Sequence, residues 1–468
     1  MISYFKRVLL SRLLVLVLLF LAIRIPLILL GIPVTLPELK YMVLGERLSE
    51  GFVLYRDVYD TTAPLSAVLF WLLDVIFGRN ILVYRSLAAL LLFLQGMRLN
   101  ATFNSHALLP EKTYLPALLY FLFGSIFFEL DTLSPVLIGM TFLIFALTYL
   151  LAPPKEGVSN PHMFKAGFLL GIAALCHLPF MLFLVLAFFA AVFFAFNAFR
   201  SFLLLLCGFL FPYSVVFTFF LYAGALPNFI QYNLLSAWDF RIVLLLPALD
   251  LGKILLMPLL VLAFFIFYGI TRTPSLNYPL KAFQLMLLWV PIALVAVVAA
   301  QHLSSISWLM FLPALAFFGA YFFLRSRSLW FTEPLFLVLL GITLLLRYNQ
   351  LIPDNPYTRL DVSRLAVQGG PAYELVKNAR ILVLGDDFNY YAANKAATPY
   401  VNWQLAQEDF GRLDTYYAIF NVMRNVSASR PDYIIDEARL LPELQYKAPK
   451  EFMRYQRLGK TPVYQRRR

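Results

Sequence analysis

Apolar stretches close to twenty residues long recur through the first 350 positions of this 468-residue chain. A stretch of that length and composition is what a bilayer-crossing helix requires, about 20 residues for the hydrocarbon core. Hydrocarbon satisfies no backbone N–H or C=O, so such a chain is confined to helices or a closed barrel. The stretches lie near 13–31, 81–99, 114–128, 135–152, 201–223, 252–270, 282–300, 307–324 and 329–346. The run 164–199, interrupted at His177 and Pro179, is too long for one span and supplies two. The reading is a polytopic α-helical membrane protein with about eleven transmembrane helices. Composition agrees, with 61% hydrophobic and 14% charged residues, against about 45–50% and about 25% in soluble domains.

Charge marks where the membrane ends. Of the 26 acidic residues, 13 lie between Asp354 and Arg468, so the last quarter of the chain is aqueous. The division is a transmembrane domain over 1–350, containing a long first loop at 32–80, and a soluble domain over 351–468 that begins near Ile352-Pro353-Asp354-Asn355-Pro356. A net charge of +12 would suggest nucleic acid in a soluble protein, but here the cations bracket apolar stretches, as cytoplasmic ends demand. No nucleic-acid partner is expected. Lys6 and Arg7 hold the N-terminus in the cytoplasm, where the basic start followed by an apolar run reads as a retained signal anchor. The inner turns 153–163, 271–281 and 325–328 carry Lys155, Arg272, Lys281, Arg325 and Arg327, while 129–134 and 301–306 carry no Lys or Arg. An odd number of spans puts the last domain outside the cell membrane. Arg466-Arg467-Arg468 reads as an uninformative tail.

Within the aqueous parts, Thr35-Leu36-Pro37-Glu38 reads as a helix start with a capping box, the helix running to about Glu50 and stopping at Gly51. A second helix on the membrane surface covers Leu65 to Phe77. Arg380–Gly385 and Pro431–Ile435 read as short buried strands, giving a small α/β domain. Cys176 and Cys207 are the only cysteines and both lie in apolar runs, so neither a disulfide framework nor a cysteine metal site is available. No metal is assigned, and a divalent metal stays open.

Ionisable residues near a bilayer are costly and point to function. They gather in the first loop as Pro37-Glu38-Leu39-Lys40-Tyr41, Tyr55-Arg56-Asp57 with Asp60, Ala63-Pro64-Leu65, and Arg85 at the outer end of the second span. Each has a plainer reading: Glu38 closes a cap, Arg56 and Asp57 form a local ion pair, and Arg85 reaches the headgroups. Glu129 and Asp131 mark a solvated turn, and His177 and His302 are packing residues; Asp386-Asp387 suggests a metal or sugar-binding loop, with a solvated turn after a strand as the plainer reading.

The order of an acid after Pro, a helix, then Tyr55-Arg56-Asp57, Pro64-Leu65 and Phe77-Gly78 with Arg85 resembles the first extracytoplasmic loop of GT-C glycosyltransferases, closest to protein O-mannosyltransferases and lipid A aminoarabinose transferases. Glu129-Leu-Asp131-Thr132 looks like that branch's second acidic site, and Gly167-Phe-Leu-Leu-Gly171 leading to His177 like its glycine-containing helix. His302 with Leu312-Pro313-Ala314-Leu315 is similar to a later outer turn and span. The chain departs from the pattern where Leu39 replaces Glu, Thr62-Ala63 precedes Pro64, and His177 replaces Lys.

The resemblance implies a GT-C-like fold and transfer of a sugar from a polyprenyl-phosphate donor to a protein, lipid or polysaccharide acceptor outside the membrane. It implies Glu38 as general base, Asp131 or Asp57 orienting the acceptor, and Arg56, Arg85, His177 or His302 on the donor phosphate. The paucity of long Ser/Thr linkers and the lack of a luminal retention signal point to a bacterial inner membrane, with its lipids as partners. Two other readings stand beside sugar transfer: a non-catalytic scaffold or lipid-carrier-binding subunit of a cell-envelope complex, and a transporter. A transporter would place polar groups at mid-bilayer in two related halves, and neither is visible.

Overall fold

The computed structural model describes residues 2–152, 160–194, 197–235, 243–300, 302–326, 328–349 and 360–467. Lys155, Arg327, the 352–356 segment and the side chain of His302 lie outside the described residues. From the N-terminus the helices are α1 (Ile2–Phe5), α2 (Leu10–Leu30), α3 (Leu36–Ser49), α4 (Pro64–Phe77), α5 (Ile81–Ser105), α6 (Leu115–Phe123), α7 (Pro135–Leu150) and α8 (Asn160–Cys176). They continue as α9 (Phe183–Phe194), α10 (Ala198–Tyr222), α11 (Leu226–Phe229), α12 (Ala248–Thr271), α13 (Asn277–Ala299), α14 (Leu312–Arg325) and α15 (Leu329–Tyr348). A two-residue parallel pairing joins β1 (Val243–Leu244) to β2 (His302–Leu303).

Among the described residues, seven segments are long and apolar enough to cross a bilayer: Leu10–Leu29, Ile81–Ser105, Ala198–Tyr222, Ala248–Thr271, Asn277–Ala299, Ser305–Arg325 and Trp330–Tyr348. The chain is a helical integral membrane protein. The other apolar stretches of the first 350 residues carry the shorter helices α6, α7, α8 and α9. The run at 164–199 divides as its sequence suggests, with His177 leaving helical geometry and Pro179 opening a turn of 3₁₀ helix ahead of α9. Proline lacks an N–H to donate, so a break is the expected local outcome.

The structure separates into two compact units. The first comprises Met1–Ile32, Ile81–Val216 and Ala237–Val362; the second comprises Pro33–Asn80, Phe217–Ser236 and Ser363–Arg468. Within the first, α15 is tied to α1 near its start and to α2 near its end. The amides of Ile2 and Ser3 donate to the Glu333 carboxylate at 3.1 and 2.9 Å. At the other end, Arg24 and Arg347 converge on Asp131 at 3.2 and 2.8 Å. Helices α8 and α10 cross almost backbone to backbone, since a Cβ on Gly167 would lie 1.9 Å from the Leu205 carbonyl oxygen. Small residues permit such approach between helices in lipid.

In the second unit the first loop and the C-terminal chain share one fold. The C-terminal part holds α16 (Pro371–Glu374), β3 (Arg380–Leu384), β4 (Lys395–Ala396), α17 (Trp403–Phe410), α18 (Tyr416–Ser429), β5 (Tyr433–Asp436), α19 (Leu441–Lys447), α20 (Pro449–Phe452), β6 (Tyr455–Arg457) and β7 (Val463–Arg466). The sheet order is β4-β3-β5-β7-β6. β3 pairs in parallel with both β4 and β5, and β7 runs antiparallel to β5 and β6. Arg466 is thus a strand residue, and its guanidinium also donates to the Arg430 carbonyl at 3.0 Å. The tail reading fails there because a strand's partners lie far away in sequence. Backbone bonds stitch the loop to this part: Leu36 N to Leu365 O at 2.7 Å, Val367 N to Val34 O at 2.8 Å and Tyr59 N to Pro399 O at 2.9 Å.

Candidate functional site

The site is built from the start of α3. Thr35 Oγ1 accepts from the Glu38 amide at 3.2 Å and the Thr35 amide donates to Glu38 Oε2 at 3.4 Å, so both halves of the capping box form. Glu38 is fully buried in the process. Lys40, half a turn on, reaches Asp60 at 3.3 Å. Helix α4 lies against α3, with Tyr41 and Phe70 stacked at 4.8 Å and Ser49 Oγ donating to Asp74 at 2.6 Å. Gly45 permits this contact, because a Cβ there would sit 2.6 Å from the Phe70 carbonyl oxygen.

The loop between α3 and α4 is bent by Tyr55, whose φ of 69° is costly for a bulky residue. Several contacts hold it. The Tyr55 amide donates to Val58 O at 3.0 Å, its carbonyl accepts from Asn228 at 3.1 Å, and its hydroxyl donates to Thr62 O at 2.7 Å. Beyond the bend, Asp60 Oδ1 accepts from the Thr62 amide at 2.7 Å and from the Thr62 hydroxyl at 2.6 Å, an Asx turn. Asp60 is buried, and its Oδ2 faces Lys40 without accepting a hydrogen bond.

The sheet brings further carboxylates to the same unit. Asp386 and Asp387 follow β3 and Glu437 follows β5, at the carboxyl ends of two adjacent parallel strands. That position, where connections leave a parallel pair in opposite directions, is where open α/β sheets bind ligands. Asp387 accepts from Tyr373 at 2.8 Å and from Asn389 at 3.0 and 2.6 Å. Burial pushes Asp386 upward, while Lys40 opposes the shift. Partial desolvation and the charge of Asp387 push Glu437 up to about 7.

Glu437 therefore carries a testable pH signature. Between the ordinary glutamate value, about 4.3, and about 7, the folded chain retains a proton that the unfolded chain has released. Stability contributed by this carboxyl is present below that window and falls as pH rises through it. The thermal midpoint of the purified protein should decline from pH 5 to pH 8. In Glu437→Gln that decline should flatten; an identical profile in the variant would contradict the assignment.

The residues singled out from sequence divide between the units. Arg56 and Asp57 form an exposed ion pair at 2.8 Å, and Arg56 also donates to Ala223 O at 2.8 Å. Burial would raise Asp57, but hydrogen bonds from Arg56 and the Val53 amide outweigh it and hold the carboxyl low. In the first unit, buried Arg85 donates to Ile32 O at 3.1 Å. His177 sits with its ring edge-on to Phe180 at 5.0 Å. His302 pairs through its backbone with Val243. Asp131 is fully buried between Arg24 and Arg347, and acts as their counter-ion. Glu129 accepts from the amide and hydroxyl of Ser305.

Sequence reasoning gives no role to Lys40, Asp60 or Glu437, and at Asp386-Asp387 favours a plain turn over a metal or sugar-binding loop. The spacing Asp60-Thr61-Thr62 does carry the Asx-turn signal, and the acids directly after β3 carry the strand-end signal. Among the described residues, no group of three or more His, Cys, Asp or Glu is arranged to hold a metal ion. No protein-family model matches the chain, and no curated protein matches it. The family resemblance accordingly rests on the residues alone.

Proposed function

We propose that this chain is a GT-C-like glycosyltransferase that moves a sugar from a polyprenyl-phosphate donor to an acceptor at the outer face of a bacterial inner membrane. The observation that carries the reading is the Lys40–Asp60 pair in the first loop, with one Asp60 oxygen free of hydrogen bonds. Glu38 is engaged in the cap, so Asp60 is the better base. Its Oδ2 takes the acceptor hydroxyl proton as the acceptor oxygen bonds the anomeric carbon. The bond from that carbon to the phosphate oxygen breaks, and the departing lipid phosphate is stabilised by a cation such as Lys40.

The topology is supported by a feature that does not depend on counting every span. A single helix long and apolar enough to cross a bilayer, Leu10–Leu29, separates the N-terminal residues from the first loop. A cytoplasmic N-terminus at Lys6 and Arg7 then gives the first loop, 32–80, the outer side. Basic residues at the N-terminus favour the cytoplasm, which puts the candidate site outside. A scaffold without catalysis is the competing reading, favoured by the burial of Asp60.

Asp60→Asn and Glu38→Gln, each in the chromosomal copy, separate these readings. We expect Asp60→Asn to abolish the envelope modification, a loss of 10²-fold or more typical of a removed general base, roughly. Glu38→Gln should weaken folding modestly and leave residual modification. Unchanged modification in Asp60→Asn, with normal protein levels, would leave the scaffold reading standing.

A further inference from the structure

The first unit holds a second arrangement that the transfer reaction does not use. Between α2, α6 and α15 runs a groove lined by Leu16, Phe20, Ile23, Leu118, Phe336 and Leu340. Both buried arginines touch its lining at one end. The Arg24 guanidinium lies 5.6 Å from the Phe20 ring centre, and Arg347 Nε donates to the Ile23 carbonyl at 2.8 Å. Arg24, Arg347 and Asp131 together leave one net positive charge, and Glu129, two residues before Asp131, turns instead to Ser305.

Two buried donors in this region have no hydrogen-bond partner, Arg24 Nη1 and Thr343 Oγ1, and one acceptor, Asp131 Oδ1, meets Arg24 Nε only as an ion pair at 3.2 Å. Thr343 stands on α15 between groove residue Leu340 and Arg347. Buried polar atoms are rarely left unsatisfied, and an orphaned pair beside excess positive charge calls for an anionic, oxygen-rich ligand.

We propose that the groove holds one acyl chain of a membrane phospholipid whose phosphate is bound by Arg24 Nη1 and Thr343 Oγ1. Leu16 to Ile23 covers about 10 Å at 1.5 Å per residue, which suits the upper part of one acyl chain and leaves the far longer polyprenyl tail mostly unhoused. The phosphate offers acceptors to both orphaned donors and balances the net charge of the arginine pair. The lipid stabilises the junction of α2, α6 and α15, and this role is independent of glycosyl transfer.

The test uses the full chain purified in a phosphorus-free maltoside detergent and washed free of loosely held lipid. Phosphorus assay and native mass spectrometry should find about one phospholipid per chain, since a tight ligand of the folded state survives dilution. Leu340→Trp, which fills the groove, should lose it, while Leu337→Trp on the exposed face of the same helix should keep it. Thr343→Val should lower occupancy without altering the groove. Equal phosphorus in Leu340→Trp and Leu337→Trp would overturn the proposal, as would a polyprenyl phosphate as the bound mass. Should Leu340→Trp not fold, delipidated wild-type protein is titrated with dioctanoyl phosphatidylglycerol. A saturable rise in melting temperature supports the site, and no rise refutes it.

Discussion

Asp131→Asn should prevent the protein from reaching a stable fold. Asp131 is wholly buried, and both its oxygens face guanidinium groups, Arg24 at 3.2 Å and Arg347 at 2.8 Å. Removing one member of a buried ion pair costs about 3–5 kcal/mol, because the remaining charge stays desolvated. Here two like charges would remain, so the upper end applies. Arg347→Met should be milder, since it leaves the neutral Arg24–Asp131 pair. Thermal unfolding in detergent micelles reads both variants. An Asp131→Asn midpoint equal to that of the wild type would show that the cluster contributes nothing.

Gly167→Leu should be comparably severe for a steric reason. The site has no room even for a methyl group, because Leu205 O, C and Cα lie 1.9, 2.7 and 3.0 Å from a Cβ placed there. Gly208 meets α8 reciprocally, since a Cβ there would lie 2.2 Å from the Phe164 carbonyl oxygen. Overpacking against side chains costs about 1–3 kcal/mol, and backbone yields less readily, so folded yield should collapse. Gly341→Ala, also in a long apolar helix but with nothing within 4 Å, is the matched control. Monodisperse yield on size exclusion would compare them, and near-equal yields for Gly167→Leu and Gly341→Ala would contradict the close crossing.

How much of this was legible depends on how far apart the partners lie. The capping box spans four residues, and Thr35 and Glu38 form it as their spacing indicates. Helix α4 starts at Pro64, one residue before the expected Leu65, and ends at Phe77 as read. The strands at Arg380 and Tyr433 follow from short apolar runs. The stretch 114–128 is apolar throughout, yet α6 stops at Phe123, because the carbonyls of Gly124 and Leu130 and the Ser125 hydroxyl are claimed by Arg24. Nothing local announces that.

The same holds for Asp131, whose partner Arg347 is 216 positions away. As a bare Glu-Leu-Asp between apolar runs it reads as a solvated turn or an acidic site. Only the fold reveals two arginines. Gly167 and Gly171 resemble a family motif, but what their backbone meets is α10. For the candidate site, the first loop was legible as a concentration of ionisable residues. The contribution of Asp386 and Glu437 was not, because the loop and the sheet end are joined by tertiary bonds between chain segments more than 300 residues apart, such as Leu36 N to Leu365 O.

The proposed activity is tested most directly by lipid analysis of cells in which the chromosomal gene is replaced by Asp60→Asn. If Asp60 is the base that draws sugar from a polyprenyl-phosphate donor, one glycosylated polyprenyl phosphate should accumulate several-fold and a matching envelope glycan should disappear. Complementation with the wild-type gene should reverse both. A donor pool and envelope glycans indistinguishable from wild type, with the variant protein present at normal levels, would contradict the proposal.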